Sequence, residues 1–151
     1  MKDYVKYIRS RVGHDKIILN AAGAIITKDD MILLQRRSDN GAWGLIGGIL
    51  EMDETYHEGA LREIKEETGL DVSLDYLVGI YHNFDMKWSS GDEAHCICAI
   101  FKASITNGEP RVDHESLELR FFKEDELPEV FAKAHQDAIK DFFKGVRNNV
   151  L

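Results

Sequence analysis

The sequence has 151 residues, 44% of them hydrophobic and 30% charged, which is ordinary usage for a globular protein with one sizeable core. A formal net charge of −8 argues against binding along a nucleic-acid backbone, because such binding requires a basic face. No apolar run is long enough to span a membrane, and the N-terminal segment lacks the apolar stretch of a signal peptide. We therefore expect one domain over residues 1–151, located in the cytoplasm, with neither nucleic-acid nor membrane partners.

Residues 1–14 are expected to form an N-terminal extension. Apolar side chains recur at roughly helical spacing over residues 1–12, with charged residues between them. This pattern predicts either a short amphipathic helix that ends at Gly13, or an edge strand that pairs with a second subunit in a homodimer.

A hairpin of two strands is predicted next. Residues 16–27 are apolar and β-branched enough for a strand, residues 28–30 make a turn, and residues 31–36 form the returning strand. Small residues at positions 21–23 leave room beside the sheet, either for a ligand or for close packing of a helix.

A glycine loop then leads into a helix. Gly47 and Gly48 end an apolar run, and their lack of a Cβ atom allows close approach of the backbone. The segment from Thr55 to Glu58 has the pattern of a capping box, which predicts a helix start near Tyr56. Gly69 stands where a helix would end.

Three carboxylates, Glu63, Glu66 and Glu67, fall on one face of this predicted helix, because side chains three or four residues apart are neighbours. They form either a solvated acidic face, with Arg62 and Lys65 interleaved, or a site for a hard divalent cation. The preceding glycine loop favours the cation site, since exposed backbone there can approach phosphates or offer a carbonyl oxygen.

The segment has a specific spacing: Gly48, five residues, Glu54, seven residues, Arg62-Glu63-Ile64, one residue, Glu66-Glu67, one residue, Gly69-Leu70. This spacing resembles the Nudix box, with every defining position filled. Two softer positions depart from the commoner form, with Asp53 where Gly often precedes the box Glu and Gly59 where Ala is usual.

The resemblance implies a site for Mg²⁺ or Mn²⁺. It places Glu63, Glu66 and Glu67 as metal ligands, with the Gly48 carbonyl as an addition, and leaves open which carboxylate is the general base. A further carboxylate often comes from the loop before a late strand, where Glu115 is favoured and Glu118 is the alternative.

Two kinds of supporting residue complete the implied site. Arg62 is expected to orient the ligating carboxylates through an ion pair, with Glu54 as a candidate partner. Arg36 or Arg37 is a candidate contact for a terminal phosphate, and a solvated strand end is the alternative for each.

Two more strands are predicted at residues 76–84 and 94–103, joined by a polar loop at residues 85–93. Trp88 in this loop either stacks on a nucleotide base or covers the edge of the core. Cys96 and Cys98 lie two apart on the second strand, and without further cysteines they are expected to pack in the core.

The C-terminal third predicts a strand at residues 117–122, an acidic exit from the sheet at residues 124–128, and a core-facing helix at residues 130–143. Residues 146–151 are expected to be a frayed tail. The fold implied is an α/β/α sandwich with a mixed, curved sheet between the box helix and the C-terminal helix.

The reaction implied by the resemblance is metal-dependent hydrolysis of the diphosphate linkage in a nucleoside diphosphate joined to another moiety. Among small-molecule substrates, nucleoside triphosphates or modified nucleotides are slightly preferred, and ADP-ribose or a nucleotide sugar is the alternative. A nucleotide-binding sensor without turnover is the alternative from another class. The intact box favours the enzyme.

Overall fold

A computed structural model describes residues 3–151 of the chain. The elements in order are α1 (Tyr4–Val12), β1 (Ile17–Lys28), β2 (Met31–Arg37), β3 (Trp43–Gly44), β4 (Ile46–Ile49), α2 (Tyr56–Thr68), β5 (Asp71–Lys87), β6 (Glu93–Asn107), β7 (Ser116–Lys123), a 3-10 turn (Glu124–Glu126), α3 (Lys133–Phe143) and β8 (Asn149–Val150).

Strand β1 is the centre of a mixed sheet. It runs parallel to β6 from Ile17 to Thr27, and antiparallel to β4 through Ala21–Ala24 and to β2 at the hairpin turn. The sheet order is β3-β2-β1-β6-β5-β8, with β7 paired to β2. As a result β5 and β6 lie on one side of β1, while β2, β3 and β4 lie on the other.

The two faces of the sheet are covered by different helices. Alternate residues point to opposite faces of a strand, so β1 contributes Ile25 to one core cluster and Ala24 and Ile26 to the other. Helix α3 packs Ala138 and Ile139 into the first cluster, and α2 packs Ile64 into the second. This confirms the predicted α/β/α arrangement with its mixed sheet.

Strands β1 and β4 approach too closely for side chains at their contact. A Cβ atom on Gly23 would lie 2.5 Å from the Ile46 carbonyl oxygen, and one on Gly47 would lie 2.5 Å from the Ala22 carbonyl oxygen. The glycine loop that follows Gly47 is therefore laid directly against the centre of the sheet.

Residues 4–12 form a helix rather than an edge strand. Asp3 caps its start, its side chain accepting from the Lys6 N–H at 3.2 Å, and Gly13 ends it with a φ of 64°. Tyr4 and Ile8 pack against the core cluster under α3. Within residues 3–151, no helix is both long and apolar enough to cross a membrane.

The expected frayed tail is wrong. Asn149 and Val150 add a parallel edge strand to β5, opposite Gly79 and Ile80. The Asn149 side-chain amide also donates to Asp141 at 2.8 Å, which ties the strand to α3.

Several predicted boundaries also shift, including those of α3, β5 and β6. Helix α3 begins at Lys133, because Val130 instead forms an isolated bridge with Trp43. Strand β5 continues to Lys87, so the loop that contains Trp88 is shorter than predicted.

Candidate active site

Helix α2 begins and ends at the predicted residues. The Thr55 hydroxyl accepts from the Glu58 N–H at 3.0 Å, and the Glu58 carboxylate accepts from the Thr55 N–H at 3.2 Å, which completes the capping box. Gly69 ends the helix at a φ of 75°. The register of the acidic residues on α2 is therefore set locally.

Arg62 holds the carboxylates around it. It donates to both oxygens of Glu54, at 2.6 and 2.9 Å, to Glu63 at 2.9 Å and to Glu66 at 3.2 Å. A further bond reaches the Ile49 carbonyl oxygen at 3.3 Å. The bond from Arg62 lowers the pKa of Glu54 despite partial burial, so Glu54 is a firmly ionised anchor for the guanidinium.

Glu67 is a buried carboxylate with little compensation. Glu67 is only 3% exposed, and its Oε2 accepts a hydrogen bond from the Gly47 N–H at 3.1 Å. Burial, with the nearby charges of Glu63 and Glu115, raises the pKa of Glu67 to about 9. A carboxylate in this state favours a bound cation.

Glu63 lies against the glycine loop. A Cβ atom on Gly48 would fall 2.5 Å from the Glu63 carboxylate, so only glycine leaves this approach open. Burial raises the pKa of Glu63, and the charge of Arg62 opposes that rise. The Glu63 carboxylate thus lies directly against the backbone of the glycine loop.

A cavity of about 400 Å³ brings part of the predicted site together. Its walls include Gly48, Glu63, Glu67 and Glu115, whereas the 60% exposed side chain of Glu66 is directed to Arg62 outside it. The Glu115 loop is held beside β2 by a bond from the Ser38 N–H to the Glu115 carbonyl oxygen at 3.0 Å.

The donor atoms of these residues are of the type that binds a hard divalent cation. Carboxylate and carbonyl oxygens are the donors that Mg²⁺ and Mn²⁺ prefer, and within residues 3–151 Glu67 forms no ion pair. Within residues 3–151, no three His, Cys, Asp or Glu side chains already stand together at ligand spacing. Arg62 accounts for part of this, because it draws oxygens of Glu63 and Glu66 toward itself.

Of the two candidate arginines, the structure brings Arg37 to the cavity. Its guanidinium pairs with both oxygens of Asp39, each at 3.0 Å; burial opposes the charge, but this pair outweighs burial and raises the pKa of Arg37. Arg36 instead donates to the Gly41 carbonyl oxygen at 3.2 Å, away from the cavity lining. Glu118, the alternative to Glu115, pairs with Arg120 at 2.7 Å.

The matches with known proteins agree with this geometry. The family model described as NUDIX domain matches residues 18–142. An ADP-ribose pyrophosphatase of Methanocaldococcus jannaschii is 34% identical over 95% of this chain and 79% of its own length. A MutT-like protein of Streptomyces ambofaciens is 33% identical over 87% of this chain and 80% of its own.

The chain belongs to the Nudix hydrolase family. A solved MutT Nudix hydrolase from Burkholderia pseudomallei superposes with a TM-score of 0.71 at 29% identity, over 82% of this chain and 97% of that one. The family, the fold and the class of enzyme, a Nudix-type pyrophosphohydrolase, are therefore confirmed as predicted.

The two departures from the common Nudix box leave the loop and the helix intact. Asp53 has a φ of 65°, the left-handed conformation that Gly adopts most readily and Asp tolerates. At Gly59, a Cβ atom would lie 2.3 Å from the Leu50 side chain and 3.0 Å from Glu54. Gly59 thus makes room for the Leu50 side chain.

Three residues that line or shape the cavity were not predicted from the sequence. Glu51 accepts from the Tyr4 N–H at 3.1 Å and thereby brings the start of α1, with Asp3, to the cavity. Asn83 caps α3 from β5, accepting from the Ala134 N–H at 2.8 Å, and His135 also lines the cavity. These contacts join distant parts of the chain, so no local pattern signals them.

The two cysteines are buried and free, as expected from their spacing. Both pack in the core cluster under α3 and also reach the cavity. Burial raises the pKa of Cys96 to about 11 and that of Cys98 to about 12, so both are neutral thiols.

Proposed function

We propose that this protein is a divalent-metal-dependent hydrolase that cleaves the diphosphate bridge of a nucleoside diphosphate linked to a second moiety. The observation that carries the proposal is the buried Glu67 carboxylate, which faces the same cavity as Glu63 and Glu115. Burial makes these carboxyl groups costly to ionise, and a bound cation would favour their ionised form and at the same time attract an anionic substrate.

Mg²⁺ or Mn²⁺ would be held by Glu63, Glu67, Glu115 and the Gly48 carbonyl oxygen, with Glu66 joining from the rim. The ion would supply charge neutralisation on the phosphate oxygens and an acidified water. Arg62 orients the carboxylates of Glu63 and Glu66, and Glu54 fixes Arg62. One of the wall carboxylates accepts the proton of the attacking water.

The chemical step is a displacement at one phosphorus of the bridge. The water oxygen bonds to that phosphorus as the bond from phosphorus to the bridging oxygen breaks, and the bridging oxygen leaves with the second phosphate. Two phosphorylated products result. Positioning and charge stabilisation are what the protein must provide for such a transfer.

The cavity extends to both sides of the acidic wall. Trp88 and Met86 line it beyond β6, and Arg37 and Trp43 line it on the opposite side of β1. Such a cavity suits a substrate with an organic group at each end of its diphosphate.

The charges of the cavity lining favour the same class. Acidic residues outnumber the two basic residues, Arg37 and Lys87, and Arg37 is already paired with Asp39. A triphosphate carries more ionised oxygens than a diphosphate diester and would need more neutralisation. We therefore favour ADP-ribose or a nucleotide sugar over nucleoside triphosphates, which reverses the order of preference drawn from the sequence. The similarity to an ADP-ribose pyrophosphatase supports this choice.

A substrate panel tests the proposal. ADP-ribose, nucleotide sugars, dinucleoside polyphosphates and nucleoside triphosphates are incubated with Mg²⁺ or Mn²⁺, and the products are identified by phosphorus NMR. We expect two phosphorylated products from the diesters, with kcat/KM about 10-fold or more above that for triphosphates, equivalent to about 1.4 kcal/mol. Binding without hydrolysis across the panel would instead support the sensor.

Replacing Trp88 by alanine should weaken substrate binding. Its ring lines the cavity and also packs against the core. Loss of base stacking, worth about 1–3 kcal/mol, should raise KM roughly 5- to 100-fold for base-bearing substrates, and loss of packing should lower Tm.

Tyr76→Ala is the matched control, because Tyr76 packs against the same core cluster and lies outside the cavity lining. It should lower Tm and leave KM unchanged. If Trp88→Ala likewise lowers Tm and leaves KM unchanged, the Trp88 indole only covers the core.

A further inference from the structure

His135 lies in the first turn of α3, with its ring against the backbone of β3. A Cβ atom on Gly44 would fall 3.0 Å from His135 Nδ1, so the missing side chain at Gly44 lets the ring approach. Nδ1 accepts a hydrogen bond from the Leu45 N–H at 3.1 Å. The ring is thereby fixed to the residue that joins β3 to β4, just before the glycine loop.

This bond determines the tautomer of the ring. A backbone N–H can only donate, so Nδ1 must offer its lone pair and the proton of the neutral imidazole must sit on Nε2. Burial, with the charge of Arg37, also lowers the pKa of His135 to about 4, which keeps the ring neutral at pH 7.

The resulting Nε2–H donor is unused by the protein. No acceptor contacts it within residues 3–151, where the bond to Leu45 is the ring's hydrogen bond. The buried side-chain atoms without a partner in this part of the chain are Arg9 Nε and Gln35 Oε1. His135 Nε2 is not among them, so this nitrogen keeps some exposed surface. His135 lines the cavity, together with Ala132 and the half-exposed Phe131.

We propose that His135 donates a hydrogen bond through Nε2 to an acceptor atom of the bound substrate and so helps to select it. The inference rests on the proposed function, since it concerns the same cavity. The acceptor is a ring nitrogen, carbonyl or hydroxyl oxygen of an organic group, or a phosphate oxygen. A group that can only donate, such as an ammonium, is disfavoured at this position.

Two substitutions separate the two nitrogens. In His135→Asn, the amide oxygen can replace Nδ1 as acceptor for the Leu45 N–H, but nothing replaces the Nε2 donor. In His135→Gln, the longer amide can replace the Nε2 donor, while the acceptor for Leu45 is lost. We expect His135→Asn to raise KM for ADP-ribose or UDP-glucose about 2- to 10-fold, with kcat and Tm nearly unchanged.

His135→Gln should have a KM closer to that of the wild type than His135→Asn has, and a lower Tm than the wild type. Nitrogen NMR of the wild-type imidazole should show the proton on Nε2 at pH 7 and a shift of this signal when substrate binds. An unchanged KM in His135→Asn, equal KM losses in both variants, or a proton on Nδ1 would overturn the proposal.

Inorganic pyrophosphate, used as a competitive inhibitor, distinguishes the source of the acceptor. If the acceptor is a phosphate oxygen, the inhibition constant should rise with KM in His135→Asn. If it belongs to an organic group, only KM should change. Absence of hydrolysis by the wild-type enzyme would reject the proposed function itself, whereas hydrolysis with an unchanged KM in His135→Asn rejects only the role of His135.

Discussion

Turnover should stop when divalent cations are removed and return when Mg²⁺ or Mn²⁺ is added back. The cavity wall carries Glu63, Glu67 and Glu115, and the net charge of the chain is −8, so without a bound cation the wall offers no attraction to an anionic substrate. Neither Arg37, paired with Asp39, nor Arg62, paired with Glu54, is free to supply that attraction.

The measurement is the hydrolysis rate after chelation, with residual metal determined by mass spectrometry. Adding Mg²⁺ to the chelated protein should also raise Tm, because a ligand that binds only the folded state stabilises it. Full activity in verified metal-free protein would falsify this mechanism.

Glu67→Gln should lower kcat about 100-fold or more, a loss of about 2.7 kcal/mol, because it removes a charged oxygen from the wall that must hold the cation. The same change should stabilise the metal-free protein. Burial disfavours the charged form of Glu67, and glutamine removes that cost while its amide oxygen can still accept from the Gly47 N–H.

The pH dependence of stability should change accordingly. With the folded pKa of Glu67 raised to about 9, the folded protein binds a proton that the unfolded chain releases near pH 4.5. Stability of the metal-free wild type should therefore fall as pH rises through this window, and the fall should be smaller in Glu67→Gln. Thermal unfolding between pH 5 and pH 9, in chelator, measures the difference.

Glu58→Gln is the matched control on the same helix. Glu58 is exposed and serves the capping box, where glutamine can also accept from the Thr55 N–H. Its kcat and its pH dependence should stay near those of the wild type. Equal losses of kcat in the two variants would mean that the acidic face of α2 is not the site.

The local structure around the Nudix box could be predicted because its contacts are short in sequence. Thr55 and Glu58 cap α2 within one turn, and the helical repeat puts Glu63 and Glu67 on one face. The pair between Arg62 and Glu54 also joins neighbouring segments. Here spacing, capping and charge determine the geometry with little help from the rest of the chain.

Only the tertiary structure decided which distant residues complete the cavity. Glu51 reaches α1 across 47 positions, and Leu45 reaches His135 across 90. Each contact depends on the sheet order, which brings β4, β5 and the start of α3 around β1. A sequence pattern shows the periodicity of one segment, but it does not show which other segment packs against it.

The placement of Arg36 and Arg37 and of the C-terminal tail also depends on contacts between distant segments. The pairing of β2 with β7 shifts register between Arg36 and Arg37, and a bulge of this kind redirects the side chains on either side of it. Residues 149–150 are too few to show a strand pattern, and their pairing is determined by the exposed edge of β5. Strand pairing is a property of two segments together, so the sequence of either one leaves it undetermined.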